Sequence, residues 1–171
     1  MKIRSRLFAI MVVSAALAGA SQAAGAAEQA QAQMMNANGD PVGMVSLHKT
    51  PHGTLLHAML HDMPEGAHAF HVHAIGKCEA PFKSAGGHFN PQGKKHGIMS
   101  AEGMHVGDMP NIHVPASGSL EIEVLNAHLM LDSSLFDEDG AAIVIHDGPD
   151  DYASDPAGAA GPRIACGVIS K

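Results

Sequence analysis

The sequence predicts an all-β fold, an antiparallel sandwich or barrel of roughly eight strands with two long loops. Two observations carry that prediction. Glycine and proline are plentiful, at 19 and 10 of 171 residues, and long helical periodicity is missing after residue 27. Short runs alternate apolar and polar side chains between turn signals. Aromatic residues make up only 4% and tryptophan is absent, so the core must be built from Val, Ile, Leu, Met and Ala. The 11 methionines are accordingly expected to be mostly core filler.

Residues 1–27 read as a secretory signal peptide. Lys2, Arg4 and Arg6 form a positive start, Leu7 to Ala18 is apolar but too short for a comfortable span, and small residues follow. Cleavage is expected between about residues 20 and 27, leaving one exported domain over 28–171. A first hairpin is expected from residues 28–38 through Asn38-Gly39-Asp40-Pro41 into Val42–Lys49. Thr50-Pro51-His52-Gly53 turns into a third strand, where Leu56, Ala58 and Leu60 alternate with His57, Met59 and His61. Pro64-Glu65-Gly66 leads into a strand that ends His68-Ala-Phe-His71-Val-His73. Gly76 to Pro115 is read as one long loop, followed by strands at Ser119–Asn126, Ala141–His146 and Arg163–Ile169. Residues 127–139 could hold a short helical turn. Asp147–Pro162 forms the second long loop.

Export also bears on charge and cysteine. Loss of Lys2, Arg4 and Arg6 from the 10 basic residues leaves 7 against 17 acidic ones, a formal charge of −10. A chain this acidic, without a basic stripe, excludes nucleic acid as an expected partner. Cys78 and Cys166 are the only two cysteines, and an even count in an oxidising compartment suggests one disulfide. Closing so long a loop is worth about 4–5 kcal/mol on the chain-entropy account.

The chemistry is carried by some of the 13 histidines. On a strand, His71 and His73 project to one face while Phe70 and Val72 project to the other. By the same parity His68 falls on the apolar side, a core histidine and not a ligand. His88, His96, His105 and Asp108 lie in the first long loop, and three imidazoles with a carboxylate match a closed four-coordinate zinc site. His71, His73 and the strand-end His146 form an all-imidazole group that suits copper.

The chain resembles the copper/zinc superoxide dismutase family, in its exported bacterial form, over nearly all of residues 28–171. The segments that carry the resemblance are Gly66-Ala-His-Ala-Phe-His71-Val-His73, Gly87-His88-Phe-Asn-Pro91, Lys95-His96-Gly97, His105-Val-Gly-Asp108, Val144-Ile-His146 and Arg163-Ile-Ala-Cys166-Gly-Val. The resemblance implies a Greek-key barrel binding one copper and one zinc ion, and an enzyme converting superoxide to dioxygen and hydrogen peroxide. It implies copper on His71, His73, His88 and His146, and zinc on His88, His96, His105 and Asp108, with His88 bridging the two. It further implies a Cys78–Cys166 disulfide, Arg163 beside the copper channel, and Asp150 linking His71 to His96. Catalytic roles fall to Arg163, which attracts superoxide, and to His88, which opens from copper and carries a proton. Periplasmic location follows if the source is Gram-negative, and the family admits a homodimer.

Two other readings compete. A non-catalytic exported copper/zinc carrier would have lost a copper ligand, the bridging histidine or the channel arginine, and none is lost. A zinc hydrolase would leave the second histidine group and Arg163 unexplained. His48, His52, His57, His61, His113 and His128 fall outside the matching segments and are expected at the surface. Three departures from the family pattern stand out: Pro162 before Arg163, Ala69 where glycine is common, and a second loop with four aspartates and no lysine or arginine. Such a loop should repel an anion, with Lys83, Lys94 and Lys95 as candidate compensation.

Overall fold

The structure, a computed structural model, describes residues 27–171. The signal-peptide reading lies outside them up to residue 26. The strands are β1 (Gln29–Asn36), β2 (Pro41–Thr50), β3 (Gly53–Leu60), β4 (Gly66–His68), β5 (Phe70–His73), β6 (Ile112–Val114), β7 (Leu120–Asn126), β8 (Ala142–His146) and β9 (Arg163–Ser170). Only Ala69 separates β4 from β5, so counting them as one interrupted strand gives the expected eight.

Seven strands form an antiparallel sheet in the order β5-β8-β9-β1-β2-β3-β7, and β4 pairs with β6 in a small second sheet. β6 lies against β7 while β4 runs on into β5, so the small sheet closes the curled large one into a barrel. The non-consecutive neighbours β5-β8 and β9-β1 are connections of Greek-key kind. The first hairpin is set by its turn: Asn36 Oδ1 accepts from the backbone N–H groups of Asn38 and Asp40.

Strand alternation fills the interior as the sequence predicts. Ala30, Ala32 and Met34 of β1, Val45 and Leu47 of β2, and Leu56, Ala58 and Leu60 of β3 all enter the core. Phe70 and Val72 of β5 and Ile143 and Ile145 of β8 complete its far side. β8 is buried along its whole length, because Ala142 and Val144 face a second cluster with Phe82, Ala85 and Cys166. That cluster holds the first long loop against the outside of the barrel, and the Cys78–Cys166 disulfide ties it there.

Three expectations need correction. Ile112–Val114 is a strand inside the stretch read as loop; with three residues and one exposed histidine it is too short to show a pattern. Residues 127–139 form turns and no helix, because Asp132 and Asp137 accept from nearby backbone N–H groups instead. Most methionines are not core filler. Among the described residues Met34, Met63 and Met109 are buried, whereas Met35, Met44 and Met104 are half-buried and Met59, Met99 and Met130 are exposed.

Candidate metal centre

The β5 residues His71 and His73 lie opposite Val144 and Ala142 of β8, on the outer side of the barrel wall. The first loop folds back over them. Val72 donates its N–H to Gly107 O and accepts from Phe89 N, while Gly107 N donates to Phe89 O. A Cβ at position 107 would sit 2.2 Å from Val72 O, so only glycine permits this approach. The pinned backbone brings His88 and Asp108 onto β5 as isolated bridges to His73 and His71.

The structure gathers two groups of ligand-type atoms, His71/His73/His88/His146 and His88/His96/His105/Asp108, all of them buried residues. In the first group the ring tautomers are set by acceptors. His73 Nδ1 donates to Gly86 O at 3.0 Å and His146 Nδ1 donates to Gly161 O at 3.1 Å. His71 Nε2 donates to Asp150 Oδ2 at 2.8 Å. Each ring is left with one bare nitrogen. His71 Nδ1, His73 Nε2, His88 Nε2 and His146 Nε2 are the only buried side-chain N or O atoms without a partner among the described residues. Leaving four such atoms bare costs stability unless something else satisfies them, and four converging imidazole lone pairs fit copper.

Burial is the main cause that lowers the histidine pKa values here. His71 falls to about 4 despite its bond to Asp150, His73 to about 2, and His146 to about 4. The imidazoles are therefore neutral and able to bind metal at ordinary pH.

The second group is built around Asp108. Its Oδ1 lies 2.8 Å from His88 Nδ1, 3.0 Å from His96 Nδ1 and 3.3 Å from His105 Nδ1. His88 Nδ1 and His105 Nδ1 are 3.4 Å apart. A tetrahedron with metal–ligand arms of about 2.0–2.1 Å has edges of about 3.3–3.4 Å, so these separations fit a zinc site. The other oxygen, Oδ2, accepts from the N–H groups of Gly97 and His105, which fixes the carboxylate. Burial alone would raise the Asp108 pKa, but the His88 bond and the Gly97 N–H outweigh it and hold it at about 2.

His88 belongs to both groups, with Nδ1 in one and Nε2 in the other. Asp150 also spans them, since Oδ1 accepts from His96 Nε2 at 3.0 Å. A Cβ on Gly158 would lie 1.9 Å from that oxygen, so glycine keeps the contact open. Arg163, at the start of β9 and paired with His146, donates to Phe82 O and, at 2.6 Å, to Gly86 O. Gly86 O thus joins the guanidinium to His73. Such carbonyl acceptors carry no side-chain signature, so no residue pattern marks them.

Residues 42–169 match the family model of copper/zinc superoxide dismutase (SODC). The chain belongs to that family. It is 50% identical over 147 residues to superoxide dismutase [Cu-Zn] 2 of Aquifex aeolicus, covering 82% of this chain and 86% of that one. Among solved structures, a double mutant of a SOD-like protein from Bacillus subtilis has a TM-score of 0.78 at 36% identity, over 81% of this chain and 95% of that one. The Cu/Zn superoxide dismutase from Brucella abortus has a TM-score of 0.71 at 28% identity, over 84% and 100%.

Outside the dismutase centre, His68 is the core histidine that parity predicts, with Nδ1 facing His146 O and Nε2 facing Pro64 O. His52, His61, His113 and His128 are exposed, and His48 and His57 are half-buried on the outer sheet face. The acidic loop is less free than its composition suggests. Asp150 is committed to two histidines, Asp151 accepts from the N–H groups of Ala153 and Ser154, and Asp155 accepts from His96 N.

Proposed function

We propose that copper is held by His71, His73, His88 and His146, and zinc by His88, His96, His105 and Asp108. The single observation that carries the assignment is His88, whose two ring nitrogens stand in two different buried donor sets. As a member of its family the chain is a superoxide dismutase using copper and zinc. When bound, copper supplies one-electron chemistry: one superoxide is oxidised to dioxygen, and another, reduced with two protons, leaves as hydrogen peroxide.

The chain's own residues do the rest. Arg163 presents a fixed positive charge beside His73 and His146, where an anion is drawn in. Its orientation is set by two carbonyl acceptors and does not depend on substrate. A groove lined by His146, Asp155, Pro156, Ala157 and Gly161 gives access from solvent. His88 Nε2 is the position at which a proton is held between the two half-reactions, because Nδ1 is committed to the Asp108 side. Asp150 fixes the rings of His71 and His96, and so their basicity as ligands.

The Cys78–Cys166 disulfide, together with the apolar N-terminal segment, supports export, to the periplasm if the source is Gram-negative. No described helix is long and apolar enough to cross a membrane. A homodimer and the exclusion of nucleic acid remain part of the proposal, the latter supported by the acidic charge. The test is to purify the exported protein, measure copper and zinc per chain, and assay superoxide removal before and after chelation. One ion of each per chain and activity that chelation abolishes are expected. A fully metallated protein without activity would reassign the chain as a carrier.

A further inference from the structure

Asp150 can serve both metals only if its carboxylate does not rotate, yet it stands on an irregular loop with no strand to hold it. Two residues that play no direct part in either donor set supply the restraint. Asn111 grips the backbone of Asp150 at both ends: its Oδ1 accepts from Asp150 N at 2.8 Å and its Nδ2 donates to Asp150 O at 2.9 Å. The backbone N–H of Asn111 in turn donates to the Tyr152 hydroxyl at 2.8 Å. Tyr152 N donates to Asp150 Oδ1 at 2.6 Å, and Tyr152 O accepts from Met99 N at 3.0 Å.

Tyr152 therefore touches three segments at once: the start of β6, the middle of the first loop and the acidic loop. It does so with φ of 63°, in the left-handed region that a bulky residue seldom adopts. A conformation of that kind persists where several contacts over-determine it, as here.

We infer that Asn111 and Tyr152 form a clasp that positions Asp150, so that zinc retention and the copper-side geometry depend together on the Tyr152 hydroxyl and the Asn111 amide. The inference rests on the metal assignment proposed above. Neither residue hydrogen-bonds to a donor atom of the two sets, so each acts as a positioning residue through Asp150. Because His71 Nε2 and His96 Nε2 share that carboxylate, loosening it disturbs both rings together.

The test uses Tyr152→Phe, which removes one oxygen and keeps the ring, and Asn111→Asp, which keeps the shape but removes the donor to Asp150 O. The fully loaded proteins are compared for zinc release to a chelator and for the electron paramagnetic resonance spectrum of Cu(II). Both variants are expected to release zinc about tenfold faster, in the range typical of lost outer hydrogen bonds. Their copper spectra are expected to shift in the direction that Asp150→Ala shifts them. His113→Gln, exposed and two residues from Asn111, serves as the control and should match wild type. Variants with a lowered melting temperature but wild-type zinc release and copper spectra would overturn the clasp. So would variants unchanged in every measurement. A wild-type protein that holds no zinc would overturn the metal assignment, and the clasp with it.

Discussion

His71, His73 and His146 stand on strands and are oriented by outside acceptors, whereas His96, His105 and Asp108 stand on an irregular loop and are oriented largely by one another. The strand-borne rings end with bare lone pairs in a buried place, and burial lowers their pKa values. The loop-borne rings converge on a single carboxylate oxygen. The first half is a preformed cage of neutral donors. The second is a charged knot held by its own members together with Asp150 and the Gly97 N–H. The first has the neutral nitrogen donors that suit an ion of variable oxidation state, and the second the mixed donors that suit an ion with a structural role.

The largest effect should come from the residue common to both halves. His88→Ala is expected to lower both copper and zinc per chain and to reduce dismutase activity to background, as measured by elemental analysis and a superoxide assay. Loss of copper with zinc intact would show that the loop half stands alone.

Removing the metals should expose the difference between the halves as a dependence on pH. With folded-state pKa values of about 4 for His71 and His146, and 6.5 when unfolded, the unfolded metal-free chain binds protons between those limits that the folded chain does not. Stability of the metal-free protein should therefore fall as pH drops from about 6.5 to about 4. Asp108 has the depressed carboxylate value of about 2, so its contribution should be lost later, below about 3.8. Denaturant titrations at a series of pH values would measure both windows. Stability that stays flat from pH 6.5 to 4 would contradict the neutral cage.

Arg163→Gln removes charge without touching either donor set. It should leave metal content unchanged and lower kcat/KM by about tenfold, with a weaker dependence on ionic strength. A smaller effect is expected from Lys83→Glu combined with Lys94→Glu, about two- to threefold in kcat/KM at low salt. Lys95 is left out of that pair because its ammonium already lies 3.5 Å from Asp155. Unchanged kinetics would remove the lysines from any steering role. The smallest effect should be that of His57→Gln, which breaks an exposed pair with Glu121 far from either half. It should change stability by no more than about 0.5 kcal/mol and metal content not at all.

Much of this was legible in the residues. Alternation in β3 placed Leu56, Ala58 and Leu60 inward, and the Asn38-Gly39-Asp40 turn marked the first hairpin, because both rest on local backbone periodicity. Parity also set His68 apart from His71 and His73. β6 was not legible, since three residues contribute too little pattern to stand out from a loop. The surface methionines were misread because composition gives the supply of apolar side chains but not their placement. In the acidic loop the resemblance singled out Asp150 alone, and only the folded chain shows Asp151 and Asp155 engaged as well.

By itself the sequence determined most of the strand pattern, the family and the candidate ligand residues, because those depend on residue type, order and local periodicity. Only the tertiary structure decided which ring nitrogen of each histidine is bare, how one carboxylate reaches both halves, and which backbone carbonyls hold Arg163. Those facts arise where segments distant in the chain approach within hydrogen-bond range, and no local pattern records such a meeting.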